Sequence, residues 1–572
     1  MKATKLLTIA ALLLCSMVAS AIPVKPGQWA TLTLADGTTV RAELRGNEHG
    51  TWFQDAEGQC YTKQGDAYVA TEWETIAARR QAAYAAKHPA SRRAYGTSTV
   101  SGLGYKGRSS QGCQYSIGEW EIPVLMVEFS DMTFSEQTTQ ELVQNYLTQE
   151  GFQYDSPSAK KKVGVGSIRD YFVAQSQGMF KPNFKLLGKV KVDKSYKYYG
   201  QNDPQDNNNS DVHAQELAGD AMRAALKQIP GVDFKKYNIK AKDNLHQDGI
   251  PLLCMLYAGE AESNHGNPEK PDFQPDLIWP HQLEMPNEVR TIKDVDVTLN
   301  AYFLGNELSD LKELAGISVF VHELGHALGL PDWYCTDGKY SADDAFGAWS
   351  VMDVGCYNGG LWRPIGYTAY ERSYMGWLDI PTYTTSQHVK LGKPYDENDC
   401  AVFYINGNVD DTEYFIVESR YPSTWYPEKT VGNAMEYGTG LMLSRFSFNQ
   451  DLWTKDGPNN VQAEKHGQII TADGAKLNRS AKETNLFGNG VNTISGLKFL
   501  SGAAWNATLS NITKNNDGTV EFDLALGSAT GISNVATADD SRQATCYDLQ
   551  GRPVSQPRRG LYICNGRKVV IR

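Results

Sequence analysis

His322-Glu323-Leu324-Gly325-His326-Ala327-Leu328-Gly329-Leu330-Pro331-Asp332 sets two histidines four positions apart with an acid beside the first. On a helix, residues i and i+4 share one face, so both imidazoles reach the same point and can bind one metal ion. Glu323 lies where it can hold a metal-bound water. A bound Zn2+ lowers the pKa of that water, and Glu323 accepts its proton as the water attacks a peptide carbonyl. The chain has 10 His and 66 Asp plus Glu in 572 residues. Chance then supplies roughly 0.02 matches to His-acid-x-x-His. The alternative, a structural histidine pair on a core helix, is the weaker reading.

The flanking residues extend the motif. Helical periodicity runs from Asp310 to Leu328 and stops at Gly329, a C-cap position. Gly329 lets the backbone turn sharply, and Pro331 stiffens the segment after that turn. Asp332 then returns toward the metal as an oxygen ligand. A surface turn residue, or a hydrogen-bond partner for a ligand histidine, is the other reading of Asp332. Met352, twenty positions beyond Asp332 in Trp349-Ser350-Val351-Met352-Asp353, is the candidate floor of the site, against the alternative of an ordinary core methionine.

Upstream, Ile122 to Phe129 and Leu252 to Tyr257 read as buried strands. Ser167 to Gln177 and Ser210 to Lys227 read as amphipathic helices, the first opening on a Ser cap. This mixture predicts an α/β (α+β) catalytic domain over residues 111–385. From 386 to 527 the pattern becomes short strands between Gly, Asn and Asp turns, such as Val402 to Ile405, Glu413 to Glu418, Gly440 to Phe446 and Thr519 to Leu524. That spacing predicts a β-sandwich.

The N-terminus reads as an export signal over 1–21. Lys2 and Lys5 precede an apolar run too short to span a bilayer, and Ala19-Ser20-Ala21 fits signal cleavage. Residues 22–110 form a small β-rich unit. Thr31 to Leu34 and Thr39 to Arg41 make a hairpin across Asp36-Gly37, and Glu72 to Lys87 reads as a helix. A basic, Ser- and Gly-rich stretch containing Arg92-Arg93 comes next and suits a cleavable linker. The unit is therefore read as a removable pro-segment, against a permanent N-terminal β-domain. Cys60 within it is a candidate thiolate for the open metal position of a silent precursor; a buried small residue is the alternative.

Hydrophobic residues are 41% and charged residues 21%, as in folded domains, and the net charge of -11 argues against a nucleic-acid surface. No later run is apolar enough for a membrane helix. Nine cysteines are sparse and irregular; Cys335 with Cys356, and Cys546 with Cys564, are candidate disulfides. Asp206 to Asp211 and Asp243 to Asp248 are oxygen-rich and carry the expectation of Ca2+, against solvated turns.

These motifs together resemble the immune inhibitor A family of secreted bacterial zinc metallopeptidases, a metzincin-like group. The carriers are His322 to Asp332, Gly347-Ala348-Trp349-Ser350-Val351-Met352, Met375-Gly376-Trp377-Leu378, Val124 to Asp131, Ser167 to Gly178 and Ile278-Trp279-Pro280-His281. The resemblance implies a zincin or metzincin fold, a Met-turn at Met352, a pro-segment, Zn2+ on His322, His326 and Asp332, and Glu323 as general base. Two departures stand out. Asp332 occupies the place where many metzincins have His. Val354 occupies the place where some have Tyr, with Tyr357 and Tyr334 as substitutes. His281 is read as a substrate-side or structural group. The tail 528–572, with Tyr547 to Arg552 and Gly560 to Ile563, resembles Bacteroidetes-type C-terminal sorting domains. That implies contact with outer-membrane secretion machinery and a secreted or surface location. The expectation is a monomeric endopeptidase acting on extracellular proteins. The rival is a surface adhesin or glycan-binding protein, motivated by 12 Trp and 30 Tyr.

Overall fold

The computed structural model describes residues 19–47, 50–65, 67–73, 75–79, 116–202, 211–240, 248–265, 267, 269–271, 274–285, 289–336, 345–395, 399–407, 411–427, 435–454, 457–460, 464–477 and 479–527, together with the backbone strands of the C-terminal unit. The stretch 1–18, most of the expected helix to Lys87, the basic linker and the oxygen-rich loops at 206–210 and 243–247 lie outside the described residues.

A six-stranded sheet carries the central region. Its strands are β1 (Ala19–Ala21), β2 (Gly118–Glu128), β3 (Phe180–Lys191), β4 (Leu253–Glu260), β5 (His281–Glu284) and β6 (Ala301–Leu308), in the order β1-β5-β6-β4-β2-β3. β3, β2, β4 and β6 run parallel, while β5 is antiparallel to β6 and β1 is antiparallel to β5. The parallel strands read as unbroken apolar runs because both faces are buried. Val124, Met126, Cys254 and Leu256 enter one core, and the alternate residues Leu125, Val127, Leu253 and Met255 enter the other.

On the first face lie α1 (Gln140–Thr148), α2 (Ile168–Gln175) and α4 (Ser318–Ala327); α3 (Ala214–Gln228) covers the second. α2 begins at the expected Ser167, whose side chain and Asp170 form a reciprocal capping box. α3 starts at Ala214 and not at Ser210. Asp211 instead bridges to Asn202, and its carboxylate accepts the Trp279 N–H at 3.0 Å. α4 starts at Ser318 and not at Asp310. Leu311 and Leu314 mimic a helical stripe, yet Leu311 is 61% exposed and Leu314 bridges back to Leu308. A side chain at Gly316 would strike the Leu361 carbonyl, so the chain enters α4 along a fixed path.

Residues Trp29–Thr33, Thr39–Asn47, Gly50–Gln54, Cys60–Gln64 and Ala67–Thr71 form a five-stranded antiparallel meander in sequence order. Leu32, Leu44, Phe53 and Tyr68 make its small core, which Trp279 of the central region joins. Beyond residue 386, a three-stranded sheet (Gln387–Leu391, Val520–Leu526, Ala507–Lys514) and a four-stranded sheet (Cys400–Tyr404, Glu413–Arg420, Gly440–Ser447, Gly467–Ile469) share one apolar cluster including Leu391, Phe415, Val417, Leu509 and Phe522. Alternate residues of the four-stranded sheet, Val402, Tyr414, Ile416 and Phe446, point the other way into the core that holds α4.

Residues 527–572 are a separate compact unit. Cys546–Tyr547, Pro553–Val554, Gly560–Cys564 and Arg567–Ile571 form its four-stranded sheet, in which Cys546 and Cys564 occupy paired positions. The expected Cys335–Cys356 disulfide is not made; both residues are buried thiols. Among the described residues, no helix is long and apolar enough to cross a membrane.

Candidate metal centre and the groove beside it

α4 is buried along its length from Ser318 to His326, so its polar side chains must be matched inside the protein. It ends as the glycine predicts. Gly329 adopts φ +98°, its N–H bonds the His326 carbonyl at 2.8 Å, and the Leu330 N–H bonds the Gly325 carbonyl at 3.0 Å. This paired closure turns the chain back so that Asp332 faces the helix it has just left.

Three candidate ligand atoms then converge. His322 Nε2 and His326 Nε2 are 3.1 Å apart, and Asp332 Oδ1 lies 3.2 Å from the first and 3.4 Å from the second. Among the described residues this is the group of three His, Cys or carboxylate side chains able to share one metal ion. The remaining ring nitrogens fix the tautomers. His322 Nδ1 donates to the Val351 carbonyl at 2.7 Å, and His326 Nδ1 donates to the Leu330 carbonyl at 2.9 Å. Both Nε2 atoms are thereby left with lone pairs directed at one another and at a carboxylate oxygen. Three lone pairs meeting in a buried space repel unless a cation lies between them. Tetrahedral zinc with bonds of about 2.0–2.1 Å would hold neighbouring ligand atoms roughly 3.3–3.4 Å apart, close to the separations found. The residues present fit the group.

The shell around the ligands is equally built. Tyr334 donates to Asp332 Oδ2 at 2.7 Å. Met352 is fully buried, and a Cβ added to Gly325 would come within 2.6 Å of its sulfur, so the thioether packs against the helix between the two histidines. Gly325 is required by that contact and by the Tyr367 hydroxyl, which donates to the Val321 carbonyl. Asp353 accepts the N–H groups of Phe346, Gly347 and Val354 and so shapes the turn that presents Met352. Glu371 accepts Trp333 Nε1, the Ser350 hydroxyl and the Thr368 N–H. It ties the segment after Asp332 to the turn before Met352. The spacing Thr368-x-x-Glu371 is a capping-box signal from which this residue was readable.

Glu323 is fully buried beside the ligands in sequence. Burial raises Cys356 and Tyr357 well above their ordinary pKa values, and the Glu323 charge adds to both shifts. Cys60 is not brought to this centre. It is buried in the N-terminal meander with Trp52 and Ile76, and burial pushes its thiol up to about 11. His281 is structural: its Nδ1 donates to the Trp279 carbonyl at 2.7 Å, and its Nε2 meets the Tyr302 hydroxyl at 3.1 Å. Val354 leaves its position apolar. Tyr334 serves Asp332, while Tyr357 donates to the carbonyl of Pro23.

That last bond belongs to a set of contacts around residues 22–24 that no local sequence signal marks. The edge strand β1 pairs with β5, Ala21 opposite His281, and both strands run close to α4. Ile22 continues into the same core as the metal helix.

Residues 117–377 match the family described as "Immune inhibitor A peptidase M6, catalytic domain". The chain is similar to the "Pre-pro-metalloprotease PrtV" of Vibrio cholerae serotype O1, 25% identical over 236 residues, covering 39% of this chain and 24% of that one. It is also similar to "Immune inhibitor A" of Bacillus thuringiensis subsp. alesti, 25% identical over 268 residues, covering 40% of this chain and 37% of that one. The chain thus spans between 24% and 37% of the length of these curated relatives. The matched span contains β2 to β6 and α1 to α5 (α5, Ala369–Tyr374), and with them all three converging ligand residues. Residues 117–377, a little under half of the chain, are thus similar to the catalytic domain of the immune inhibitor A, peptidase M6, family.

Proposed function

We propose that this chain is a secreted zinc endopeptidase that hydrolyses peptide bonds of extracellular proteins. One observation carries the reading: two imidazole nitrogens and one carboxylate oxygen converge within 3.4 Å on a buried helix that also bears Glu323. His322, His326 and Asp332 would hold the ion, which when bound supplies a polarised substrate carbonyl and a water of lowered pKa. Glu323 takes a proton from the attacking water as its oxygen bonds to the carbonyl carbon. It returns that proton to the amine nitrogen as the C–N bond breaks, leaving a carboxylic acid and an amine. Met352 supports the imidazoles from below, and the Val351 and Leu330 carbonyls accept the two Nδ1–H groups and so turn both Nε2 atoms toward the ion site.

The finer architecture belongs to the same reading. The antiparallel strand β5 beside α4 supports a metzincin-like catalytic domain over 111–385, and the two sheets sharing one core support a β-sandwich over 386–527. One relative is named a pre-pro-metalloprotease, which supports a pro-segment at 22–110 and an export signal at 1–21, whose cleavage would remove β1 and leave β5 at the sheet edge. The unit beyond residue 527 is read as a sorting domain for outer-membrane export.

The test is to incubate the purified full chain with a mixed extracellular proteome, with and without a chelator, and map the new N-termini. The reading expects many new termini that vanish with chelator and return with zinc. Termini that persist unchanged in chelator, or none at all, would end it.

A further inference from the structure

Three consecutive main-chain carbonyls at residues 22–24 are each taken by a side-chain donor from a different part of the molecule. Trp279 Nε1 donates to the Ile22 carbonyl at 3.2 Å, the Tyr357 hydroxyl to the Pro23 carbonyl, and the Arg479 guanidinium to the Val24 carbonyl. Successive carbonyls of an extended chain point to opposite sides, so a row of donors must come from more than one wall. Here the walls are the segment leading into β5, the turn after Met352 and the region beyond residue 386. Pro23 has no N–H, so that residue is bound through its carbonyl alone. The row begins where β1 leaves β5, next to α4, and Ile22 shares the core that encloses that helix. Ile22, Pro23 and Val24 are buried, so the groove fits a polypeptide chain closely.

We propose that this groove is the peptide-binding groove, and that Trp279, Tyr357 and Arg479 are its main-chain donors, with residues 22–24 standing where a substrate backbone lies. The proposal rests on the peptidase reading and extends it to substrate class. Donors that bind carbonyls recognise what every residue shares, so the substrates are extended, unstructured polypeptides of varied sequence. A folded protein, whose carbonyls are already bonded, is excluded until it unfolds locally. Trp279 also packs in the core of the N-terminal meander, so the same residue holds residues 22–24 and their attached domain.

The test uses the full chain carrying Glu323→Ala, which binds without turnover, and fluorescein-labelled casein as an unfolded polypeptide. Ile22→Asp with Val24→Asp charges two buried side chains and drives the native segment from the groove. This vacated chain should bind casein at least tenfold more tightly. Adding Tyr357→Phe or Trp279→Phe to it should then weaken binding roughly three- to tenfold, the worth of one net hydrogen bond. With Glu323 restored, KM for casein should rise by the same factor, with kcat within about twofold. No gain on vacating the groove overturns the proposal. So does unchanged affinity in Tyr357→Phe, which would mean the donors hold only the chain's own segment. If the peptidase reading itself fails, the Glu323 chain will show no chelator-sensitive cleavage, while the binding comparison still decides the groove.

Discussion

The metal centre and the groove beside it are built in opposite ways. The centre comes from one short stretch: His322, His326 and Asp332 span eleven residues, and the Gly329 turn that folds Asp332 back lies among them. The groove is assembled from residues 22–24, Trp279, Tyr357 and Arg479, whose bonded partners lie as many as 455 residues apart. A local site is placed by helix period and turn chemistry, with the Val351 carbonyl and Met352 bracing it from outside the stretch. A convergent site depends on the whole core and on which segment fills it.

If that contrast holds, changes within the short stretch should have the largest effects on metal. Asp332→Ala removes a ligand oxygen and leaves two facing Nε2 lone pairs. Zinc affinity, measured by competition with a chromogenic chelator, should fall by more than the roughly 10- to 100-fold that loss of a supporting hydrogen bond costs. Full retention of zinc would show that Asp332 is a turn residue after all. Tyr334→Phe removes the bond to Asp332 Oδ2, and affinity should fall about 10- to 100-fold with the fold intact.

Gly325→Ala sharpens the comparison from the packing side. In an exposed helix this change stabilises by about 1 kcal/mol. Here the new methyl would meet Met352 sulfur at 2.6 Å, and overpacking costs about 1–3 kcal/mol. A lower thermal midpoint with partial loss of zinc is expected; a higher midpoint would mean that Met352 yields freely. The smallest effect should be at Cys60→Ser. Its thiol is held protonated in the core of the N-terminal meander, so latency and zinc content should stay unchanged. A burst of chelator-sensitive activity in that variant would restore the thiol switch.

The same contrast explains what was legible in sequence. The convergence of His322, His326 and Asp332, the Ser167 cap and the buried strands around Val124 and Leu253 are set by spacing and composition within a dozen residues. The helix expected from Asp310 failed because Leu311 and Leu314 keep helical spacing while serving a turn whose path is set by Leu361, far along the chain. The Cys335–Cys356 pairing failed for a related reason: closeness in sequence says nothing about whether two Sγ atoms meet, and both thiols are enclosed in the core. Tyr357 could be named as one of two substitutes for the tyrosine missing at Val354, but its partner, the carbonyl of Pro23, is 334 residues away. Arg479 and Trp279 carry no local signal for their role.

The central claim is that Glu323 moves the proton at a metal held by His322, His326 and Asp332. The direct measurement is zinc stoichiometry together with casein cleavage in Glu323→Gln. The account predicts one zinc per chain, an unchanged melting midpoint and a cleavage rate lower by about 10²- to 10⁴-fold. Undiminished chelator-sensitive cleavage by that zinc-loaded variant would contradict it.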